Sequence, residues 1–271
     1  MNKYAVLAFA FSLVFAACFG SNRSCYVSPH APRLLSLKTE KIKNQETMKS
    51  KVRKEYEAAL AKAEVTPFEG KDDVIDLYTD VVCGAVLVAE ENAKQIGGPT
   101  WQNAWLCRTL LKYGRELEKV TGYGNVTDTL YWAAERMEES LFGHPRLRSE
   151  LINFIIHLLH IIECDTGHDL SSTDHFMEKL ARVDRNIQYA DSGKLDLIEQ
   201  EGYMKDDPVE WTARFEEVID DAQREALSHL KDTPRSMGFC HAYWSRLSDA
   251  LSDRGIDWRS PALMNPRCMF D

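Results

Sequence analysis

From Glu46 to the C-terminus, apolar residues recur almost everywhere at steps of three and four, the period of a single buried helical face. Residues 46–64 are rich in Ala, Lys and Glu, all good helix formers. They carry too little apolar surface for a central core, and Pro67 ends the run. Val74 to Ile96 is apolar on one side through Val74, Leu77, Val81, Ala85 and Val88, and stops at Gly97-Gly98-Pro99. Thr100 is placed to cap the next helix, which runs through Trp101, Trp105 and Leu110 to Val120. A loop over 121–125 leads to helices at Thr127–Phe142 and Leu147–Cys164, separated by Gly143-His144-Pro145. Ser171–Ala190 and a short piece over 195–198 complete the middle.

The last third carries the clearest punctuation. Asp207-Pro208-Val209-Glu210 puts a carboxylate at the N-cap, Pro at the first helical position and Glu at N3, the pattern of a helix start. Trp211, Phe215, Val218, Ile219, Ala222, Ala226 and Leu230 then fall on one face. A final helix carries Phe239, Tyr243, Leu247, Ala250 and Leu251, and Arg254-Gly255-Ile256 closes it as a Schellman cap. Ile256, Trp258 and Met264 predict a C-terminal tail docked on the bundle. No repeat, low-complexity tract or linker divides the body, so residues 46–271 read as one all-α, multi-helix, bundle-like domain with ordinary loops.

Residues 1–45 follow a different pattern. The first 39 residues hold no Asp or Glu, and Lys3 precedes an apolar run from Tyr4 to Phe19, broken only by Ser12. That run of 16 residues is short for a membrane span, which needs about 20, and fits a cleavable export leader. Phe15-Ala16-Ala17-Cys18 approximates a bacterial lipobox. Alternatively, cleavage after Cys18 exposes Phe19 ahead of an acid-free stretch containing Ser and Arg. That arrangement resembles the two-part plastid leaders of diatoms and related algae. These readings send the chain into a secretory route, to a plastid or as an envelope lipoprotein; the remaining one is a cytoplasmic protein whose translation starts at Met48.

Cysteine usage and charge narrow the partners. The body keeps Cys83, Cys107, Cys164, Cys240 and Cys268, an odd number at wide spacing, which suits free thiols in a reducing space better than a disulfide scaffold. Without the four cations of the first 39 residues (Lys3, Arg23, Arg33 and Lys38), the 33 basic against 42 acidic residues become 29 against 42, a net charge of −13. Such a body repels phosphate backbones and anionic membrane surfaces, so neither nucleic acid nor a membrane is the expected partner, and the body contains no span. A protein partner is the expectation. Oligomeric state and cofactor are not readable from the sequence.

Two constellations carry candidate chemistry. On the helix Leu147–Cys164, apolar residues nearly surround the axis, while Asn153, His157, His160 and Cys164 project within an arc of roughly 60°. Two imidazoles and a thiol on one stripe are a zinc-ligand set, given a fourth ligand such as His168, His175 or His241. The plainer account is that the stripe is the helix's least buried edge.

The second constellation is Glu135-Arg136-Met137-Glu138, then Glu150-Leu151-Ile152-Asn153, and later Gly167-His168-Asp169-Leu170 before Glu178-Lys179-Leu180. This set resembles the ExxE and ExxD helices of MazG-type all-α nucleotide pyrophosphohydrolases. The resemblance implies Glu135, Glu138 and Glu150 holding magnesium ions that activate water against a nucleoside triphosphate. Asn153 stands where that pattern has Asp, which removes one metal-binding charge. Read from the residues alone, Glu135, Glu138 and Glu139 form a solvated face.

No G-x-S-x-G, P-loop, G-x-G-x-x-G or H-E-x-x-H signature is present. Cys240 and His241 are adjacent on a helix and point about 100° apart, so they do not form a nucleophile and base. The functional expectation is therefore an exported or organelle-targeted helical protein that binds a partner through its bundle surface or tail. The alternatives are a magnesium-dependent hydrolase and a zinc-stabilised bundle. The sequon Asn125-Val126-Thr127 lies in an expected loop and should carry glycan in a secretory lumen.

N-terminal sequencing of protein from its native host is expected to begin after the leader; an intact Met1 would overturn the export reading.

Overall fold

The computed structural model describes residues 51–94, 97–120 and 124–270. The leader, with its cleavage, lipidation and transit readings, and the Met48 start lie outside the described residues. Helices run over 51–64 (α1), Asp72–Ala93 (α2), Asn103–Leu117 (α3), Gly124–Glu139 (α4), Pro145–Thr166 (α5), Ser171–Asp191 (α6), Ala213–Ser228 (α7) and Phe239–Ser252 (α8), with a closing turn at Pro261–Met264 (α9). Single 3-10 turns lie at Thr100–Gln102, Leu195–Leu197 and Pro208–Trp211. Among the described residues there is no strand, and the fold is all-α and bundle-like. No helix among them is long and apolar enough to cross a membrane.

The apolar faces predicted from periodicity are buried. Val74, Leu77, Val81, Ala85 and Val88 line α2, and Leu151, Ile152, Ile155, Leu158 and Leu159 line α5. Together with α1, α3, α4 and α6 they form a large first cluster; Phe215, Ile219, Ala222, Phe239, Leu247 and Leu251 begin a smaller second cluster on α7 and α8.

Three local expectations change. α1 is not peripheral: Tyr56 and Ala63 are buried in the first cluster, because Gly84 lets α1 lie directly on α2. A Cβ at Gly84 would stand 3.0 Å from the Tyr56 ring and 3.4 Å from its Cα. Thr100 does not cap α3; its hydroxyl donates to Gln223 Oε1 at 2.9 Å, joining the two clusters. Asn125 is exposed in the first turn of α4, rather than in a loop.

The start of α7 is divided. Asp207 caps only the 3-10 turn Pro208–Trp211, and Thr212 then caps α7 by accepting from Phe215 N at 3.2 Å. Glu210 keeps the capping-box contact with the Asp207 backbone, but on the 3-10 turn rather than on α7. At the other end the Schellman cap after α8 forms as predicted, with Gly255 at φ 76° and Ile256 N donating to Leu251 O at 3.0 Å.

A polar seam joins the two clusters. Gly143, at φ 73°, brings the α4–α5 loop against α7 so closely that a Cβ there would lie 3.3 Å from both Ile219 and Phe215. The next residue, His144, is 4 % exposed. Its Nε2 lies 2.9 Å from Asp220 Oδ1, and its Nδ1 lies 3.8 Å from Glu216 Oε1. Arg146 extends the seam, donating to Glu216 Oε2 at 3.2 Å and to Trp211 O at 3.3 Å while also pairing with Asp191. Burial, the largest single influence on the imidazole, works against its charged form, but the two carboxylates outweigh it and raise its pKa. This contribution to stability is complete below the unfolded histidine's value near 6.5 and is lost as pH rises through the raised folded value.

His144→Ala is expected to cost about 2 kcal/mol at pH 6, measured by urea denaturation, and less at pH 9. An equal loss at both pH values would show that the imidazole is not charged in the seam.

Candidate functional site

The carboxylates and histidines singled out in the sequence are all described, and the structure scatters them. Glu138 lies on the inner face of α4 and is 7 % exposed, so it is not part of a solvated face. The reason is its cations. Arg148 Nε donates to Oε1 at 2.6 Å and Lys179 Nζ to Oε2 at 2.7 Å, drawing the carboxylate between α5 and α6. Arg148 also meets Glu201 Oε2 at 2.6 Å, and Arg182 meets Glu201 Oε1 at 3.3 Å. Burial pushes the Glu138 carboxyl up, but Arg148 and Lys179 together prevail and hold it below the ordinary glutamate range. Both Glu138 oxygens are occupied by protein cations. Glu135 accepts from the Tyr131 hydroxyl at 3.0 Å, and Glu150 pairs with Arg115 at 2.7 Å on the surface. Glu139 is exposed.

Asn153, His157, His160 and Cys164 do lie along an exposed edge of α5. His157 Nε2 is 3.6 Å from Glu118, and His160 Nδ1 is 3.0 Å from Glu163 Oε2. Glu163 Oε1 in turn accepts from Leu170 N and the Thr173 hydroxyl, closing the turn between α5 and α6. Asn153 bonds Ser149 O within its own helix. No group of three or more His, Cys, Asp or Glu side chains among the described residues is arranged to hold a metal ion. Cys83, Cys107 and Cys240 are buried free thiols, and burial pushes Cys83 and Cys107 up to about 12, leaving them inert as nucleophiles.

The most elaborated surface region is one that motif reasoning did not single out: the loop over 199–207 and the C-terminal tail that crosses it. The loop is fastened to α6, where Asn186 exchanges two 2.9 Å hydrogen bonds with the Glu199 backbone, and to Arg148 and Arg182 through Glu201. Gln200 closes it, accepting from Asp206 N at 2.8 Å. The tail is then clamped by two carboxylates. Asp207 accepts from Arg259 N at 2.7 Å, from its Nε at 3.2 Å and from Val209 N at 3.3 Å. Glu210 Oε1 accepts from the Trp258 indole at 2.7 Å. Farther along, Asn265 spans to Lys205, its Oδ1 accepting from Lys205 N at 2.9 Å and its Nδ2 donating to Lys205 O at 2.8 Å.

Although Glu210 keeps some accessible surface as a residue, heavy atoms crowd its carboxyl group. That desolvation, with Asp206 and Asp207 adding their negative charge, pushes it up to about 7 against the indole's opposing hydrogen bond. The sequence did contain one signal for this pair. A tail tryptophan that buries its ring needs an acceptor for its N–H.

Above these clamps the junction presents large apolar side chains to solvent. Tyr203 is 94 % exposed and Met204 48 %, with Leu263 at 70 % on the turn that Asn265 ties to Lys205. Compared with known proteins, the chain matches no family model, no curated protein and no solved structure.

Glu138→Gln leaves Arg148 and Lys179 facing a neutral group inside the bundle and is expected to destabilise the protein by about 3 kcal/mol in chemical denaturation. The wild-type contribution lies above the unfolded carboxylate's range and is lost as pH falls, so the two proteins should converge in stability in acid. A neutral substitution cost at pH 7 would contradict the lattice.

Proposed function

We propose that this protein is an exported or organelle-targeted partner-binding module whose docking face is the junction of the 199–207 loop and the C-terminal tail. The observation that carries this is the two-way bridge between Asn265 and the Lys205 backbone, which holds exposed Tyr203 and Met204 on the same anchored ridge as exposed Leu263. Exposed apolar side chains scattered singly need no explanation. Several on a rim that the protein fastens with side-chain-to-backbone hydrogen bonds are what an interaction face requires. Fixing the loop beforehand lowers the ordering cost of association.

The partner's chemistry follows from charge. Glu199 and Glu201 are already paired with arginines, so the free charge beside the face is Asp206, on residues 40–271 that carry −13 overall; the fitting partner is a basic protein segment with apolar anchors. The leader's pattern supports placing that partner in an organelle, a secretory lumen or an envelope.

Tyr203→Ser with Leu263→Ser should raise the partner's Kd more than about tenfold without a measurable fall in melting temperature, because both side chains are solvent-exposed. Binding should also weaken with added salt. A double variant that binds as tightly as the wild type would remove this face from the function.

A further inference from the structure

The two carboxylates that clamp the tail are unequally compensated. Asp207 holds the Arg259 guanidinium and two backbone N–H groups. Glu210 meets only neutral donors, the Trp258 indole N–H and the backbone of Asp207. The cations on neighbouring elements are engaged elsewhere: Arg148 by Glu138 and Glu201, Arg146 by Asp191 and Glu216, Arg182 by Glu201, and Arg259 by Asp207. The charges that act on Glu210 are negative, Asp206 and Asp207 on its own segment, while Lys205 on the same loop meets Asn265 through its backbone. An ionised Glu210 therefore has no cation to offset its desolvation.

We propose that Glu210 and Trp258 form a proton-controlled latch, which holds the C-terminal tail down while Glu210 is protonated and loosens it when Glu210 ionises. This deepens the docking-face reading and rests on it for its biological meaning, because Leu263 and the Asn265 bridge to Lys205 lie on the segment that Trp258 anchors. Opening the latch would separate Leu263 from Tyr203 and Met204 and dismantle the face. Protonated Glu210 still accepts the indole hydrogen bond through its carbonyl oxygen, so the closed state keeps its contact without a buried charge.

The sign follows from linkage. The folded carboxyl titrates at about 7, whereas an ordinary glutamate does so near 4.5, so the closed tail binds more protons than the open one between those values. Closure is strongest in acid and weakens as pH rises through that window, with little further change above it. Raising pH from 6 to 8 multiplies the opening equilibrium by about tenfold.

The test uses the Trp258 indole N–H resonance of the full-length, isotope-labelled chain, assigned among the six tryptophans by its disappearance in Trp258→Phe. In the wild type, that resonance should titrate with a midpoint near 7, and its exchange protection, corrected for intrinsic chemistry, should fall about tenfold between pH 6 and pH 8. Glu210→Gln should abolish the titration and keep the indole protected throughout. His144 titrates across the seam, so the indole, not global melting, is the proper readout. A wild-type midpoint near that of an ordinary glutamate, or unchanged protection from pH 6 to pH 8, would overturn the latch. No partner is needed for this measurement. A latch that fails leaves the docking face standing, and a docking face that fails leaves the latch to be judged by its own titration.

Discussion

The buried carboxylate of Glu138 is the point on which the loop and tail architecture depends. An unpaired charge at that depth is costly enough that the fold must bring cations to it, and the two it brings come from different helices, Arg148 on α5 and Lys179 on α6. Their geometry sets how α4, α5 and α6 sit together. Arg148 then carries the order outward, because its remaining donors hold Glu201, and with it the 199–207 loop. The tail crosses that loop. With Asn186 holding the Glu199 backbone as well, that surface is a fastened ridge, tied in part to one buried charge.

The second cluster is attached by a different kind of contact. Thr100 with Gln223, His144 with Asp220 and Glu216, and Arg146 with Glu216 and Trp211 make the seam polar and directional, whereas each cluster is held mainly by apolar packing. Apolar packing tolerates small slides; hydrogen bonds to buried partners do not. The seam therefore defines the register of α7 against the α4–α5 loop. Gly143 makes that register attainable by removing a side chain where Phe215 and Ile219 press closest. The protein thus holds two proton-sensitive features of opposite design: His144 is stabilised in its charged form by carboxylates, and Glu210 in its neutral form by the lack of a cation.

Reasoning from the residues located most of the architecture and little of the site. The α2 and α5 faces, the α7 stripe and the Schellman turn at Gly255 were legible, because each depends on a period or a local dihedral preference contained in a few neighbouring residues. Glu138 was not legible as a buried group. Its surroundings in sequence, Arg136, Glu135 and Glu139, are those of a wet face, and its partners lie 10 and 41 residues away. Half of Glu210's role was hidden for a related reason. Its spacing from Asp207 fits a capping box, and its carboxyl does meet the Asp207 backbone, but its second partner, Trp258, lies 48 residues later.

By itself, then, the sequence determined that this chain is helical, where its faces and main breaks fall, that residues 40–271 carry a net negative charge, and that its first 39 residues hold no carboxylate side chain. These are local or additive properties, set by short-range sterics and by composition. Which carboxylates become buried, which cation each one meets, and whether exposed apolar residues stand together were decided only by the tertiary structure. A charge's free energy depends on everything within a few ångströms of it, and folding assembles those neighbours from distant parts of the chain.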